Sequence, residues 1–445
     1  MNLKTALGTF CLGMFAGCDT ASCIRGPDAE LDCTNQSEAF RDAYEGDGQI
    51  LEAIPDAQWY PMAMVLTEAG INELLTGNVG GKVPFNSAVP LGPLSLDFAT
   101  TGVPEILIQR VPGCGRCILF KVDFQFGLLN ADGEGQGSGA GDAEVSIPLE
   151  LRQNEDGTSA LVANYDKATA LQLNFTTMGL DSNDEPGLEG AIKVLFTEQL
   201  RENYDATELI RFDPWTIGDG DVQLAARALA INYDSRVLSL GFQTNLALPA
   251  SYSLKVADAL PNGLPDSIPM LIQMHPGLLY GMAQRMITEG EIARTYDENG
   301  KPDPKGLYGM TLESMEPNKL PKSNVLDVGF RVWRTADDYC GYADAVTGLK
   351  LGLSNNNISV TPTSDLRVTG GEGVGELAAS DEELVNKNKK LVDEFKRALS
   401  EQVGITINYK DIDVDGADIY FHAQALLVTP DAIDIVVDFE VVAEP

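Results

Sequence analysis

One run of residues constrains the fold of this chain more than any other. Ile118, Phe120, Val122, Phe124, Phe126 and Leu128 alternate with Leu119, Lys121, Asp123, Gln125 and Gly127. Side chains on a strand point to opposite faces at each step, so this period of two predicts a long, half-buried β-strand. The alternation returns at Val145, Ile147, Leu149 and Leu151, and again at Leu171, Leu173 and Phe175. Between the first two runs, the Gly-rich stretch Gly133 to Gly141 reads as a flexible connection. Helical spacing appears earlier, where Val65-Leu66 leads into Thr67-Glu68-Ala69-Gly70-Ile71-Asn72-Glu73-Leu74-Leu75. There Thr67 can cap a short helix and Gly77 can stop it. A second helix is read from Leu188, Ile192, Leu195, Phe196 and Leu200. Strands Val222 to Tyr233 and Val237 to Leu248, joined at Asp234-Ser235, close this part.

The remainder shows the same order of elements. Pro276 opens a helix to about Ile292, and strands follow near Val325 to Trp333, Leu349 to Leu353 and Ile358 to Val368. Ser380-Asp381-Glu382-Glu383 is a capping box for a helix carrying Leu384, Leu391, Val392, Phe395, Leu399 and Val403 on one face, ended by Gly404. Strands Ile405 to Tyr409, Ile419 to Val428 and Ile433 to Val442 finish the chain. Helices therefore start near 67, 187, 276 and 380, each followed by a β region. The expected architecture is α+β in two similar halves, residues 59–262 and 263–445. No residue-level repeat accompanies it.

Charge narrows the function classes. With 66 Asp+Glu against 31 Lys+Arg, the net charge is −35. So acidic a chain offers no basic surface for nucleic acid or for electrostatic adhesion to an anionic membrane. Its only histidines, His275 and His422, leave little room for His-based zinc sites or triads. No catalytic constellation stands out, so the chain is read as a non-enzyme. The 44% hydrophobic content is that of a globular protein.

The N-terminus carries the clearest address. Met1-Asn2-Leu3-Lys4 is a short basic start, and the apolar run Ala6 to Ala16 has the length of a signal-peptide core, too short to span a bilayer. It ends in Phe15-Ala16-Gly17-Cys18, which resembles the bacterial lipobox. On that reading, residues 1–17 are removed and Cys18 is acylated. Residues 18–58, polar and turn-rich, then tether a cell-envelope protein to its membrane. An ordinary secretory peptide cleaved elsewhere is the other reading. Which membrane, and which envelope partner, the sequence leaves open.

Cysteine usage suits an oxidising compartment. Cys23 and Cys33 bracket a polar segment and are disulfide candidates. Cys114-Gly115-Arg116-Cys117 has redox-motif spacing, but a strand pattern follows it instead of a helix, which favours a structural turn disulfide over a thiol–disulfide oxidoreductase. Cys340 has no evident partner.

Two α+β halves opening on Val65-Leu66-Thr67-Glu68-Ala69-Gly70-Ile71 resemble the tubular lipid-binding (TULIP) superfamily, in its bactericidal/permeability-increasing-protein-like form. The string matches the apolar–Ser/Thr–x–x–Gly–apolar start of that family's first helix. The resemblance implies an elongated tubular body over residues ~60–443, each half a curved antiparallel sheet wrapped on long helices. It also implies an apolar slot that holds acyl chains or a sterol-like lipid, for binding or transfer. The basic tip that some relatives use for lipopolysaccharide has no counterpart here, so recognition of an anionic headgroup is not carried over.

Met270, Met274, Leu278, Met282 and Met286 fall four apart, a stripe expected on the third helix region. Methionine adapts to irregular ligands, so these five are the candidate lipid contacts; packed core is the competing reading. Asp411-x-Asp413-x-Asp415-Gly416 matches half of a calcium loop, but His422 stands where the bidentate Glu belongs, and the alternation also reads as a solvated strand face. No other cofactor is expected. A packed envelope lipoprotein acting through protein contacts remains the alternative to a lipid carrier.

If Cys18 is the acylated residue, Cys18→Ser should move the protein to the aqueous phase of a detergent partition or leave it unprocessed. Unchanged partition and processing would remove the lipoprotein reading.

Overall fold

The computed structural model describes residues 38–43, 48–55, 60–79, 86–179, 185–203, 207–217, 221–249, 268–319, 323–334, 341–354, 357–373, 389–402, 405–406, 413–414 and 417–443. Three antiparallel sheets dominate them. The central sheet has eight strands in the order 413–414, Ala417–Val428, Ile433–Ala443, Met270–Met274, Met62–Thr67, Val237–Thr244, Val222–Asn232 and Trp215–Ile217. A seven-stranded sheet runs through Asn86–Leu91, Leu94–Leu107, Cys117–Leu129, Gly135–Gln153, Ser159–Ala163 and Thr207–Phe212, with Thr169–Met178 paired to Gly135–Gln153 off that path. A six-stranded sheet joins Thr295–Tyr296, Tyr308–Pro317, Val325–Arg334, Gly341–Ser354, Asn357–Gly373 and Ile405–Thr406.

These sheets curl because their long strands carry bulges. An extra residue on one strand bends it and increases its twist. Such shifts fall between Thr101 and Glu105, Leu312 and Ser314, Thr347 and Leu349, and Ala423 and Ala425. The run that alternates from Ile118 forms Cys117–Leu129, with Ile118, Phe120, Val122, Phe124, Phe126 and Leu128 all buried.

Four α-helices of 12 to 19 residues lie among the described residues: α1 (Glu68–Val79), α2 (Glu185–Asn203), α3 (Pro276–Glu289) and α4 (Lys389–Gln402). They are short against the sheets, so the expectation of long helices is corrected. The expectation of two similar halves is corrected too. The central sheet draws strands from both parts of the chain, and the flanking sheets differ in strand number and in the placing of their helices. The Ser380–Glu383 capping box lies outside the described residues.

The Val65–Ile71 string sits at the centre of this construction. Met62–Thr67 is buried along its whole length between Val237–Thr244 and Met270–Met274. Thr67 Oγ1 accepts from the Gly70 N–H at 3.0 Å, capping α1, and donates to Ile268 O at 2.8 Å. A Cβ on Gly70 would stand 2.1 Å from Pro269 O, so the helix can lie this close only with glycine there. Glu68 and Asn72 then fasten α1 to the seven-stranded sheet: Ile108 N–H donates to Glu68 Oε2 at 2.6 Å, and Asn72 exchanges bonds of 2.8 and 2.6 Å with the Ile106 backbone.

Only the start of the Gly-rich stretch is a connection, the turn in which Gly133 N–H donates to Asn130 O. Its residues from Gly135 onward are strand, and their lack of side chains lets neighbours close in. A Cβ on Gly139 would meet the Phe126 ring and Thr176 O at 2.5 Å, and one on Gly141 would meet Asn174 O at 2.0 Å.

Within the central sheet, Asp434 is fully buried beside Gln273, whose Nε2 donates to Asp434 Oδ1 at 3.0 Å. Burial pushes its carboxyl up to about 6, and Asp431 adds to the rise. The folded state thus holds this proton more tightly than the unfolded chain. The stabilisation is complete below about pH 4 and is lost as pH rises through 6, a change of about 2–3 kcal/mol. Asp434→Asn keeps the Gln273 bond without the charge. It should melt higher than the wild type at pH 7–8, with the difference vanishing below pH 4 in a melting series across pH.

Candidate functional site

Two clefts open beside each other on the seven-stranded sheet. The larger, about 670 Å³, lies between the strand Thr169–Met178 and the start of α2. Leu173, Phe175 and Pro186 form its apolar wall, and Asp142, Asn174 and Glu189 its polar one. The second, about 490 Å³, is lined by Phe126 and Met178 with Asp97, Gln125 and Thr177. Ala140 and Thr176 line both.

Aromatic rings stand between the clefts and the interior. Phe175 meets Phe126 edge-on at 5.8 Å, Phe126 lies 6.3 Å from Phe124, and Phe124 stacks on Phe98 at 5.1 Å. Phe98, Phe124 and Phe126 are buried, whereas Phe175 is half-buried at the cleft. Behind them Leu96, Leu128, Ala143 and Val145 continue one apolar cluster that reaches all three sheets. On the other side of the larger cleft, α2 presents buried Leu188, Ile192 and Leu195 to the sheet.

The rim is acidic. Asp142 Oδ2 accepts from Asn174 Nδ2 at 3.0 Å, and Asn174 Oδ1 accepts from Gln172 Nε2 at 2.9 Å. Glu189 pairs with Lys193 one turn along α2 at 2.8 Å. Among the described residues, no cationic side chain lines either cleft. Neither cleft was signalled in the sequence, because the glycines that let Phe126 and the edge strand approach read as loop.

The five residues of the Met stripe do not share a helix. Met270 and Met274 belong to a central strand, and Leu278, Met282 and Met286 to α3. The break is local. His275 is extended (φ −73°, ψ 136°) and its Nδ1 accepts from the Gly277 N–H at 3.0 Å, while Pro276 starts the helix. Burial lowers the His275 pKa, which keeps this acceptor nitrogen unprotonated. Strand and helix still converge: Met270, Met274, Leu278 and Met282 are at most 3% exposed in the same apolar cluster, and Met286 packs on it. None of the five lines either cleft.

Cys114 and Cys117 are joined by a disulfide with a Cα–Cα distance of 5.7 Å. The bridge closes a turn in which Cys114 N–H donates to Val111 O, and Cys117 begins a strand. Tyr233 Oη accepts from the Cys117 N–H and donates to its carbonyl, both at 3.1 Å. Cys18, Cys23, Cys33, Cys340, Asp411 and Asp415 lie outside the described residues. Asp413 pairs in a short ladder with Asp418. Among the described residues no three His, Cys, Asp or Glu side chains converge to hold a metal.

No protein-family model and no curated protein matches the chain. Among solved structures it is similar to P47 of Clostridium botulinum E1, with a TM-score of 0.48 and 9% identity over 86% of this chain and 99% of that one. P47 from Clostridium botulinum A2 gives 0.42 and 9%, over 86% and 98%. Lipopolysaccharide binding protein gives 0.36 and 10%, over 86% and 99%. At these scores the likenesses carry no inference about function.

The disulfide should be structural. Replacing both cysteines (Cys114→Ser with Cys117→Ser) should lower stability by about 2 kcal/mol, the loop-closure value for so short a ring, in a denaturant titration. In the reduced protein, a Cys114 thiol that alkylates rapidly at about pH 6 would point to redox work instead.

Proposed function

We propose that the protein binds an apolar lipid chain, entering where the Phe126–Phe175 pair separates the two clefts from the interior. The observation that carries this reading is that pair. Its half-buried member faces an open cleft, and its buried member belongs to a continuous apolar cluster. A chain displacing Phe175 would exchange water for apolar wall at about 25 cal/mol per Å² buried. The larger cleft falls within the size range of small-molecule sites.

The acidic rim sets the headgroup class. Asp142, which has no cationic partner among the described ion pairs, would repel a phosphate or carboxylate head and accept hydrogen bonds from a hydroxyl or an amine, whereas Glu189 is already paired with Lys193. The ligand is therefore read as a lipid with a neutral or cationic head. In this reading the protein is a binder or carrier of the bacterial cell envelope, held by acyl chains on Cys18, and performs no catalysis.

Native mass spectrometry of the chain lacking residues 1–18, offered a long-chain amine, alcohol or fatty acid, tests this. Phe175→Trp should fill the mouth and weaken amine or alcohol loading about tenfold, the equivalent of ~1.4 kcal/mol, with little change in melting. Met282→Trp, deep in the core, should instead overpack it and cost ~1–3 kcal/mol of stability, with loading per folded molecule preserved. Normal loading of Phe175→Trp would place the lipid elsewhere, with the methionines the next candidates. No uptake of any of the three lipids would end the lipid reading.

A further inference from the structure

The chain ahead of the first central strand is fastened to the body at two places. Residues 38–43 form one helical turn, closed by Ala43 N–H to Ala39 O at 3.0 Å. Its Phe40 ring lies 5.8 Å from the Trp333 ring on the six-stranded sheet. Gly309 makes the seat: a Cβ there would stand 2.4 Å from Phe40 Cε2. Arg294 clamps the turn from above. Its guanidinium carbon is 4.7 Å from the Phe40 ring centroid, and its Nη2 donates to the carbonyls of Phe40 and Arg41 at 2.6 and 2.9 Å.

The second fastening is a short ladder. Gly48 N–H donates to Ala247 O at 2.9 Å, Ala247 N–H to Gln49 O at 2.8 Å, and Leu51 N–H to Asn245 O at 2.7 Å, around a bridge between Ile50 and Leu246. Gly48 is left-handed (φ 75°), and a Cβ on it would stand 2.6 Å from Arg285 N of α3. These fastenings reach the six-stranded sheet, α3 and the end of a central strand. None of them touches the seven-stranded sheet that carries the clefts.

We propose that residues 38–43 and 48–51 act as a strap, whose described contacts pass the pull of an N-terminal membrane anchor into the six-stranded sheet and α3 and not into the cleft-bearing sheet. This rests on the reading of Cys18 as the acylated residue. The strap shortens the leash. The contour from residue 18 to residue 58 is at most about 140 Å; to the first clasped residue, 38, it is at most about 70 Å. A pull arriving at residue 38 meets the Phe40 clasp first and the 48–51 ladder second.

Two variants open the clasp from opposite sides. Phe40→Ala removes the ring, and Gly309→Ala fills its seat without changing the strap. In the wild type the bond after Arg41 lies in a helical turn whose Arg41 carbonyl is held by Arg294, and trypsin needs that turn opened into extended chain. In both variants, cleavage after Arg41 should accelerate at least about tenfold and Trp333 emission should shift to the red, with the global melt little changed. Neutron reflectivity of the acylated full chain on a phosphatidylcholine bilayer should then show the body of Phe40→Ala ranging farther from the lipid. Unchanged cleavage in both variants would overturn the proposal, and so would unchanged standoff despite faster cleavage. A chain found unacylated at Cys18 also overturns it; faster cleavage in that chain would show that the anchor reading failed and not the clasp.

Discussion

The six residues Met62–Thr67 join distant parts of the chain. On one side they pair with Val237–Thr244, on the other with Met270–Met274, which pairs onward with Ile433–Ala443. All six are buried, so their N–H and C=O groups must bond within the sheet or remain unmet at about 1–3 kcal/mol each. Thr67 ends this strand and caps α1 in the same step, and Gly70 lets the helix settle on Pro269. Glu68 and Asn72 pass that placement on to the seven-stranded sheet through the backbone at Ile106 and Ile108. Where the clefts sit relative to the central sheet follows from these few bonds.

How much of this was legible in the sequence depended on the range of the forces involved. Ile118 to Leu128 announced its strand because burial alternates with side-chain direction along one segment. The Val65–Ile71 string was visible for a similar reason, since Thr67 and Gly70 act within one turn of each other. The partners of Met62–Thr67 were not visible, because strand pairing at long range leaves no local mark. Gly135 to Gly141 misled for a specific reason: glycine marks both loops and places where backbones crowd, and here Phe126 and Thr176 decide between the two. The Met stripe misled because four-residue spacing suits a helix turn and also two strand repeats. Pro276 separates the one from the other. Phe40 sat in a polar stretch, and its use shows only when Trp333, Gly309 and Arg294 are brought to it.

The clefts combine features that seldom share a wall. Gly139 and Gly141 give up side-chain packing, which weakens a strand, and in exchange let the edge strand and the Phe126 ring come close. The rim carboxylates then lie beside aromatic surface, with no cation among the described residues that line the clefts. In a chain of net charge −35 such a rim is unremarkable by itself. Its meaning comes from the apolar cluster behind Phe175, without which the two acids would be solvated surface.

The pairing of Met62–Thr67 also orders events in time. The strands of the seven-stranded sheet from Asn86 to Ala163 are joined largely by successive hairpins, so their contacts are near in sequence and can form early. The first central strand has no partner until Val237–Thr244 arrives, and the central sheet is incomplete until Ile433–Ala443 does. A chain emerging from its N-terminus therefore exposes this apolar strand early and buries it late. For that interval Met62–Thr67 is an unpaired, uncharged edge, the kind of segment that chaperones hold and that aggregates when they do not.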